Sequence, residues 1–143
     1  MSKLSETLKD CMAEAGYNET SLSEISGIYK SHISEYLSGK HLPTYNHFIK
    51  LIYTFNCSAD YLLGLKEIHT EEPLHTVPPF GERLRSLLKA RKLSQTEFCK
   101  QLHLSSCALY KWLSGKNNPS VESLIRLAEY FDCSVDFLIG RVR

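Results

Sequence analysis

The sequence predicts an all-α protein made of two small, equivalent helical domains in tandem. Three observations carry this. The chain of 143 residues matches itself at an offset of about 76 residues without a gap. Apolar residues recur at helical spacing between serine and glycine punctuation. No stretch alternates apolar and polar residues as a half-buried strand does.

The repeat is explicit. "LSGK" at Leu37–Lys40 falls on "LSGK" at Leu113–Lys116, and Pro43 falls on Pro119. "FNCSADYLLG" at Phe55–Gly64 falls on "FDCSVDFLIG" at Phe131–Gly140. Solenoids need three or more units, so two copies read as two compact domains, residues 1–65 and 81–143.

Each element of the second copy has a local reason. Leu84, Leu87, Leu88 and Arg91 follow helical spacing, which predicts a first helix over Glu82–Arg91. Ser94-Gln95-Thr96-Glu97 has the form of a capping box and opens a second helix, Gln95–Leu102. Ser105 caps a third, Ser106–Leu113, which stops at Ser114-Gly115. Pro119-Ser120 leads into a fourth, Val121–Phe131. Ser134 caps a short fifth, Val135–Ile139, ended by Gly140. The first copy repeats the plan, with Asn18, Ser58 and Gly64 at matching punctuation. Phe98, Leu102, Leu104, Leu109 and Leu113 are expected to pack helices two and three together. Cys99 is expected where only a small side chain fits, and Trp112 to anchor helix three to helix four.

Residues 66–80, "KEIHTEEPLHTVPPF", carry Pro73, Pro78 and Pro79 and read as a linker outside either core. Extended, it would span about 50 Å at ~3.3 Å per residue. Charge is unequal along the chain. Residues 1–65 carry five basic and seven acidic side chains, net −2, and the linker is also −2. Residues 81–143 carry eleven basic and six acidic side chains, net +5.

Several classes of function are disfavoured. No apolar run approaches the ~20 residues of a membrane helix, and the charged N-terminus lacks a secretory apolar core, so a cytoplasmic location is expected. An odd number of cysteines, five, argues for reduced thiols. No nucleophile–base–orienter set and no phosphate-cradling loop is present, so neither catalysis nor a cofactor is expected. Cys99, His103 and Cys107 are spaced by four, like metal ligands on one helix face. A turn is expected at His103, which would separate them, and no fourth ligand is near. No metal site is expected, and no small-molecule ligand.

The run "LRSLLKARKLSQTEFCKQLHLSSCALYKWLSGKNNPSVESLIRLAEYFDCSVDFLIG" resembles the helix-turn-helix domain of phage repressors and Cro proteins, the XRE family. The shared pattern is a leucine–arginine first helix and leucine-serine-glutamine opening helix two. Then come a tryptophan before a glycine turn, a proline before helix four, and "S-x-D-x-L-x-G". The resemblance covers both copies, and the second matches the whole pattern. The resemblance implies two lambda-repressor-like five-helix domains. It also implies a bacterial or phage-encoded transcriptional regulator, expected to be a repressor, with double-stranded DNA as partner.

A helix lying in the major groove presents its first turn and the residues one turn on. In the second domain these are Ser105, Ser106, Cys107, Tyr110 and Lys111, the expected base-reading set. Lys111 has the donor chemistry for guanine O6 and N7. Gln95 matches the family's phosphate-contacting glutamine, and Lys116, Asn117 and Asn118 are expected along the phosphate path. The first domain offers Tyr29, Lys30, Ser31 and His32 for reading and Lys40 for phosphate. It departs from the pattern at telling positions. Glu19 stands in the place of Gln95 and Glu35 in that of Lys111, and both oppose a polyanion. Two arrangements follow: a homodimer reading a palindrome, or a pseudo-dimer within one chain. The rival to DNA reading is a protein-interaction regulator, antitoxin-like or partner-controlled, whose acidic first domain mediates dimerisation or partner binding.

Overall fold

A computed structural model describes residues 3–67 and 72–142. Ten helices follow one another in two sets of five. The first set is α1 (Leu4–Ala15), α2 (Glu19–Ser26), α3 (Lys30–Ser38), α4 (Tyr45–Thr54) and α5 (Ala59–Leu62). The second is α6 (Phe80–Ala90), α7 (Gln95–Leu102), α8 (Ser106–Ser114), α9 (Val121–Phe131) and α10 (Val135–Ile139). No strand occurs among the described residues.

The serine punctuation works through hydrogen bonds. The hydroxyls of Ser94, Ser105, Ser120 and Ser134 each accept the amide three residues on, which opens α7, α8, α9 and α10. The capping box expected at Ser94 is only half formed. Glu97 does not reach back, because its carboxylate accepts the Gln101 side-chain amide at 2.9 Å instead. The reciprocal box is found in the first domain, between Asn18 and Ser21. Helix α6 begins at Phe80, two residues before the sequence-predicted start.

Phe98, Leu109 and Leu113 are buried where α7 meets α8, with Leu102 and Leu104 half-buried beside them. Trp112 meets α9, as the sequence reading expects, and makes a second contact as well. Its ring packs edge-on against Phe80 of α6, 6.2 Å between centroids, while its other side borders Arg126 and Leu127 of α9. The tryptophan therefore ties the third helix to the first as well as to the fourth.

Gly81 allows this approach. A Cβ there would lie 2.6 Å from the Leu113 carbonyl oxygen and 2.7 Å from that of Trp112. Backbone cannot give way as a side-chain tip can. Gly81→Ala is thus expected to cost about 1–3 kcal/mol through displacement of α6 from the end of α8. Thermal unfolding followed by circular dichroism checks this, and an unchanged midpoint would show that α6 moves freely.

The segment read as a free linker is partly docked. Phe80, at its end, is buried and faces Tyr45 of the first domain at 6.1 Å. The Val77 amide donates to the Tyr53 hydroxyl at 2.7 Å, and the His75 amide to the Arg141 carbonyl at 2.7 Å. Prolines fix the path here and leave few amides to satisfy. Pro78 lies against Gly140, where an added Cβ would sit 2.8 Å from its ring.

The two domains meet through α5 and α10 in a reciprocal exchange. Asp136 accepts the amides of Ala59 (2.6 Å) and Asp60 (3.1 Å). Asp60 accepts those of Val135 (3.1 Å) and Asp136 (2.7 Å). Each carboxylate thereby caps the other domain's short helix, satisfying amides that have no intrahelical partner. Arg141, buried, reaches from the second domain into the first. Its guanidinium donates to the carbonyls of Cys57 (3.3 Å), Ile52 (3.4 Å) and His75 (3.1 Å), and lies 5.0 Å from the Tyr53 ring.

Candidate nucleic-acid interface

The α7–turn–α8 unit is shaped by its turn. His103 ends α7 in the left-handed region at φ 52°, a conformation that costs a non-glycine residue about 1 kcal/mol or more. The Leu104 amide closes the turn on the Cys99 carbonyl at 2.9 Å. Cys99 and Cys107 consequently lie on different helices. Among the described residues no three histidine, cysteine or carboxylate side chains gather as a metal-binding group.

Beyond the turn, α8 presents the expected reading set. Ser105, Ser106, Cys107, Tyr110 and Lys111 are all exposed, and the last four share one helix face by their three- and four-residue spacing. Gln95 is exposed at the first position of α7, where free amides and the helix dipole favour an anion. Lys116, Asn117 and Asn118 are exposed after Gly115, which turns the chain at φ 83°. Two contacts join this turn to the helix. The Lys116 ammonium lies 5.5 Å from the Tyr110 ring centroid, and the Asn117 amide donates to the Lys111 carbonyl at 3.2 Å. Tyr110 is 58 % exposed, so its ring supports Lys116 from outside the core. The pairing of Tyr110 with Lys116 was not foreseen from sequence, although their spacing of six, across a helix end, leaves both on one side.

The first domain presents a different surface. Tyr29 is 77 % exposed, and Lys30, Ser31 and Lys40 are exposed as well. His32 is half-buried, its ring 5.2 Å from that of His47 and 6.1 Å from that of Tyr29. His47 in turn shares a 2.6 Å hydrogen bond with the Tyr36 hydroxyl. Burial, with His32 and Lys50 nearby, lowers the His47 pKa and favours the neutral ring. Glu35 is half-buried on α3 and faces His41 at 3.4 Å. Glu19 stands at the first position of α2, where Gln95 stands on α7.

An open cleft of about 720 Å³ separates the two domains on one side. Asn46 and Lys50 of α4 border it from one domain, and Gly115 and Asn118 from the other. Of the expected phosphate path, Asn118 thus shares this space with Asn46 and Lys50 of the first domain.

Fold and site define a tandem helix-turn-helix protein. Comparison with known sequences agrees: the helix-turn-helix family pattern matches residues 8–62 and again 84–138. The chain belongs to that family, of the XRE or Cro/C1 type. It is 37 % identical over 61 residues to the HTH-type transcriptional activator BcrR of Enterococcus faecalis, covering 43 % of this chain and 30 % of that protein. It is 32 % identical over 59 residues to repressor protein C2 of Salmonella phage P22, covering 41 % and 27 %. It is 32 % identical over 60 residues to the transcriptional repressor RstR of a cryptic phage in Vibrio cholerae, covering 42 % and 54 %. The matched segment therefore spans between about a quarter and a half of these relatives. A solved transcriptional regulator from Listeria innocua aligns over 91 % of this chain and 95 % of its own, at TM-score 0.42 and 18 % identity. Among the described residues, no helix is long and apolar enough to cross a membrane.

Proposed function

We propose that the chain is a sequence-specific DNA-binding transcriptional regulator that grips one duplex with both domains, as a pseudo-dimer within one chain. The carrying observation is the reciprocal capping of α5 and α10, which joins two equivalent helix-turn-helix units as two subunits of a dimer would be joined. Such dimers place their recognition helices on half-sites about 34 Å apart, one helical turn. The two heads are unlike. The second domain supplies the stronger grip, with net charge +5 and the exposed set of α8. The first reads with Tyr29, Lys30 and Ser31, against the repulsion of Glu19 and Glu35. Repression by occupying a promoter needs nothing beyond this grip.

Footprinting combined with sedimentation tests the arrangement. An asymmetric footprint from a monomer supports it. A symmetric footprint from a dimer of chains would replace it with palindrome reading by two second domains.

Reading and positioning separate by substitution. Lys111→Ala or Ser106→Ala is expected to weaken the cognate site about ten- to a hundredfold and relax preference at one or two base pairs. Lys116→Ala is expected to weaken all sequences alike and to reduce the salt slope by about one. Selection from a random duplex library, with titrations at several salt concentrations, checks both. An unaltered sequence preference in the Lys111 and Ser106 variants would remove α8 as the reader.

A further inference from the structure

We propose that a cleft between the end of α9 and the end of the first domain is a binding site for a small alkylguanidinium cation. The carrying observation comes from the repeat. In the first domain the equivalent place is a seat for a guanidinium of the chain itself. Arg141, from the second domain, donates there to the Ile52 carbonyl at 3.4 Å and the Cys57 carbonyl at 3.3 Å, with the Tyr53 ring 5.0 Å away. The offset of about 76 residues places Ala128 on Ile52, Cys133 on Cys57 and Glu129 on Tyr53, and it pairs Arg141 with Leu65. Ala128, Cys133, Glu129 and Leu65 all border one open cleft of about 250 Å³. The second domain thus repeats the seat, with a leucine from the first domain where an arginine stands in the other.

Backbone hydrogen bonds keep the two seats in register. The Cys57 amide donates to the Ile52 carbonyl at 3.0 Å, and the Cys133 amide to that of Ala128 at 2.9 Å. The Arg141 amide donates to the Asp136 carbonyl at 2.8 Å, and the Leu65 amide to that of Asp60 at 2.9 Å. Asn56 and Asp132 both turn the chain in the left-handed region, at φ 48° and 52°.

The side chains that differ favour a cation in the second seat. Glu129 replaces Tyr53 and Asp132 replaces Asn56, which brings two carboxylates to the cleft. The last carbonyls of α9 add partial negative charge. Arg83 of α6 and Arg91 just beyond it do not border the cleft, and their guanidiniums donate to the Phe137 and Phe131 carbonyls. A planar fork of N–H donors matches carbonyls and carboxylates arranged around it, whereas an ammonium is a point charge. Leu65 and Ile125 supply apolar walls for a short alkyl stem. Asp60 and Val135 border the same cleft, so the bound cation lies beside the reciprocal caps that join the domains. The sequence reading expects no small-molecule ligand, because this cleft exists only where the domains meet.

The test is calorimetric titration of the full chain with butylguanidinium chloride. The expected result is saturable binding of one cation per chain, with a Kd of about 1 mM. Butylurea, which has the same shape without the charge, should not bind. Leu65→Arg should abolish binding, because it supplies the guanidinium from within the chain as Arg141 does. Glu129→Gln with Asp132→Asn should weaken binding about tenfold. These positions are exposed, and asparagine already adopts the Asp132 backbone conformation at Asn56, so the variants should fold, as circular dichroism checks. Absence of saturable binding at about ten times the expected Kd, equal binding of butylurea, or undiminished binding by folded Leu65→Arg would each overturn the proposal. The wild-type titration against butylurea decides even if a variant misfolds. No arm involves DNA, so failure here leaves the regulatory reading untouched.

Discussion

Asp136→Ala is expected to separate the two domains and to destabilise the chain by about 2–4 kcal/mol. The substitution strips the buried amides of Ala59 and Asp60 of their acceptor. An unsatisfied buried donor costs about 1–3 kcal/mol. Removing one of two adjacent buried carboxylates returns part of that, since like charges repel there. Asp60→Ala should act in the same direction by freeing the amides of Val135 and Asp136. The double variant should cost less than the sum, because amides rehydrate once the contact opens. Thermal unfolding should resolve into two transitions, and amide exchange should quicken in residues 57–63 and 134–139. DNA affinity should fall toward that of two heads joined only by a tether. A single transition at an unchanged midpoint would show that the contact contributes nothing.

The sequence disclosed what is local and concealed what depends on how the domains meet. The repeat, the serine caps and the apolar spacing act within a dozen residues, so their reading survives in α7, α9 and α10, whose predicted and observed limits coincide. The burial of Phe80 is not legible in the sequence, because the residue follows Pro78 and Pro79 outside any apolar repeat. Its burial comes from Trp112 and Tyr45, both more than thirty residues away. Glu97 had two acceptable partners, and the one a helical turn ahead prevailed.

The Asp60–Asp136 exchange had a visible signal that was read only as part of the family pattern. "CS-x-D" occurs in both copies, putting an acid in an apolar surrounding, where an aspartate is seldom buried without donors. What the signal could not say is that each copy supplies the other's donors. Arg141 was hidden for the same reason. Its counterpart is Leu65, 53 % exposed, so the repeat gave no hint of a buried guanidinium. In the candidate site, exposure of α8 follows from helical spacing alone. The half-burial of His32 does not, because it depends on His47 of another helix.

The domain contact should also weaken as pH rises. Burial and the adjoining Asp60 carboxyl push the Asp136 pKa up from 3.8 to about 7, outweighing the amides that favour its charged form. Folded protein then holds a proton that unfolded protein has already released between pH ~4 and ~7. Stability falls with pH wherever the native state binds more protons. The Asp136 contribution is therefore fully present below about pH 4 and is lost as pH rises through about 7, by at most roughly 4 kcal/mol at ~1.4 kcal/mol per pKa unit. His47 acts oppositely. Its lowered pKa stabilises the fold above the ordinary histidine range, and that contribution is lost as the pH falls. A comparison across pH 5.5–8 must therefore include a variant that keeps His47. Asp136→Asn serves: the amide cannot ionise and retains one oxygen for the Ala59 amide. Urea unfolding should show wild-type stability declining relative to the asparagine variant as pH rises. A constant difference between them over this range would mean that Asp136 takes up no proton when the domains dock.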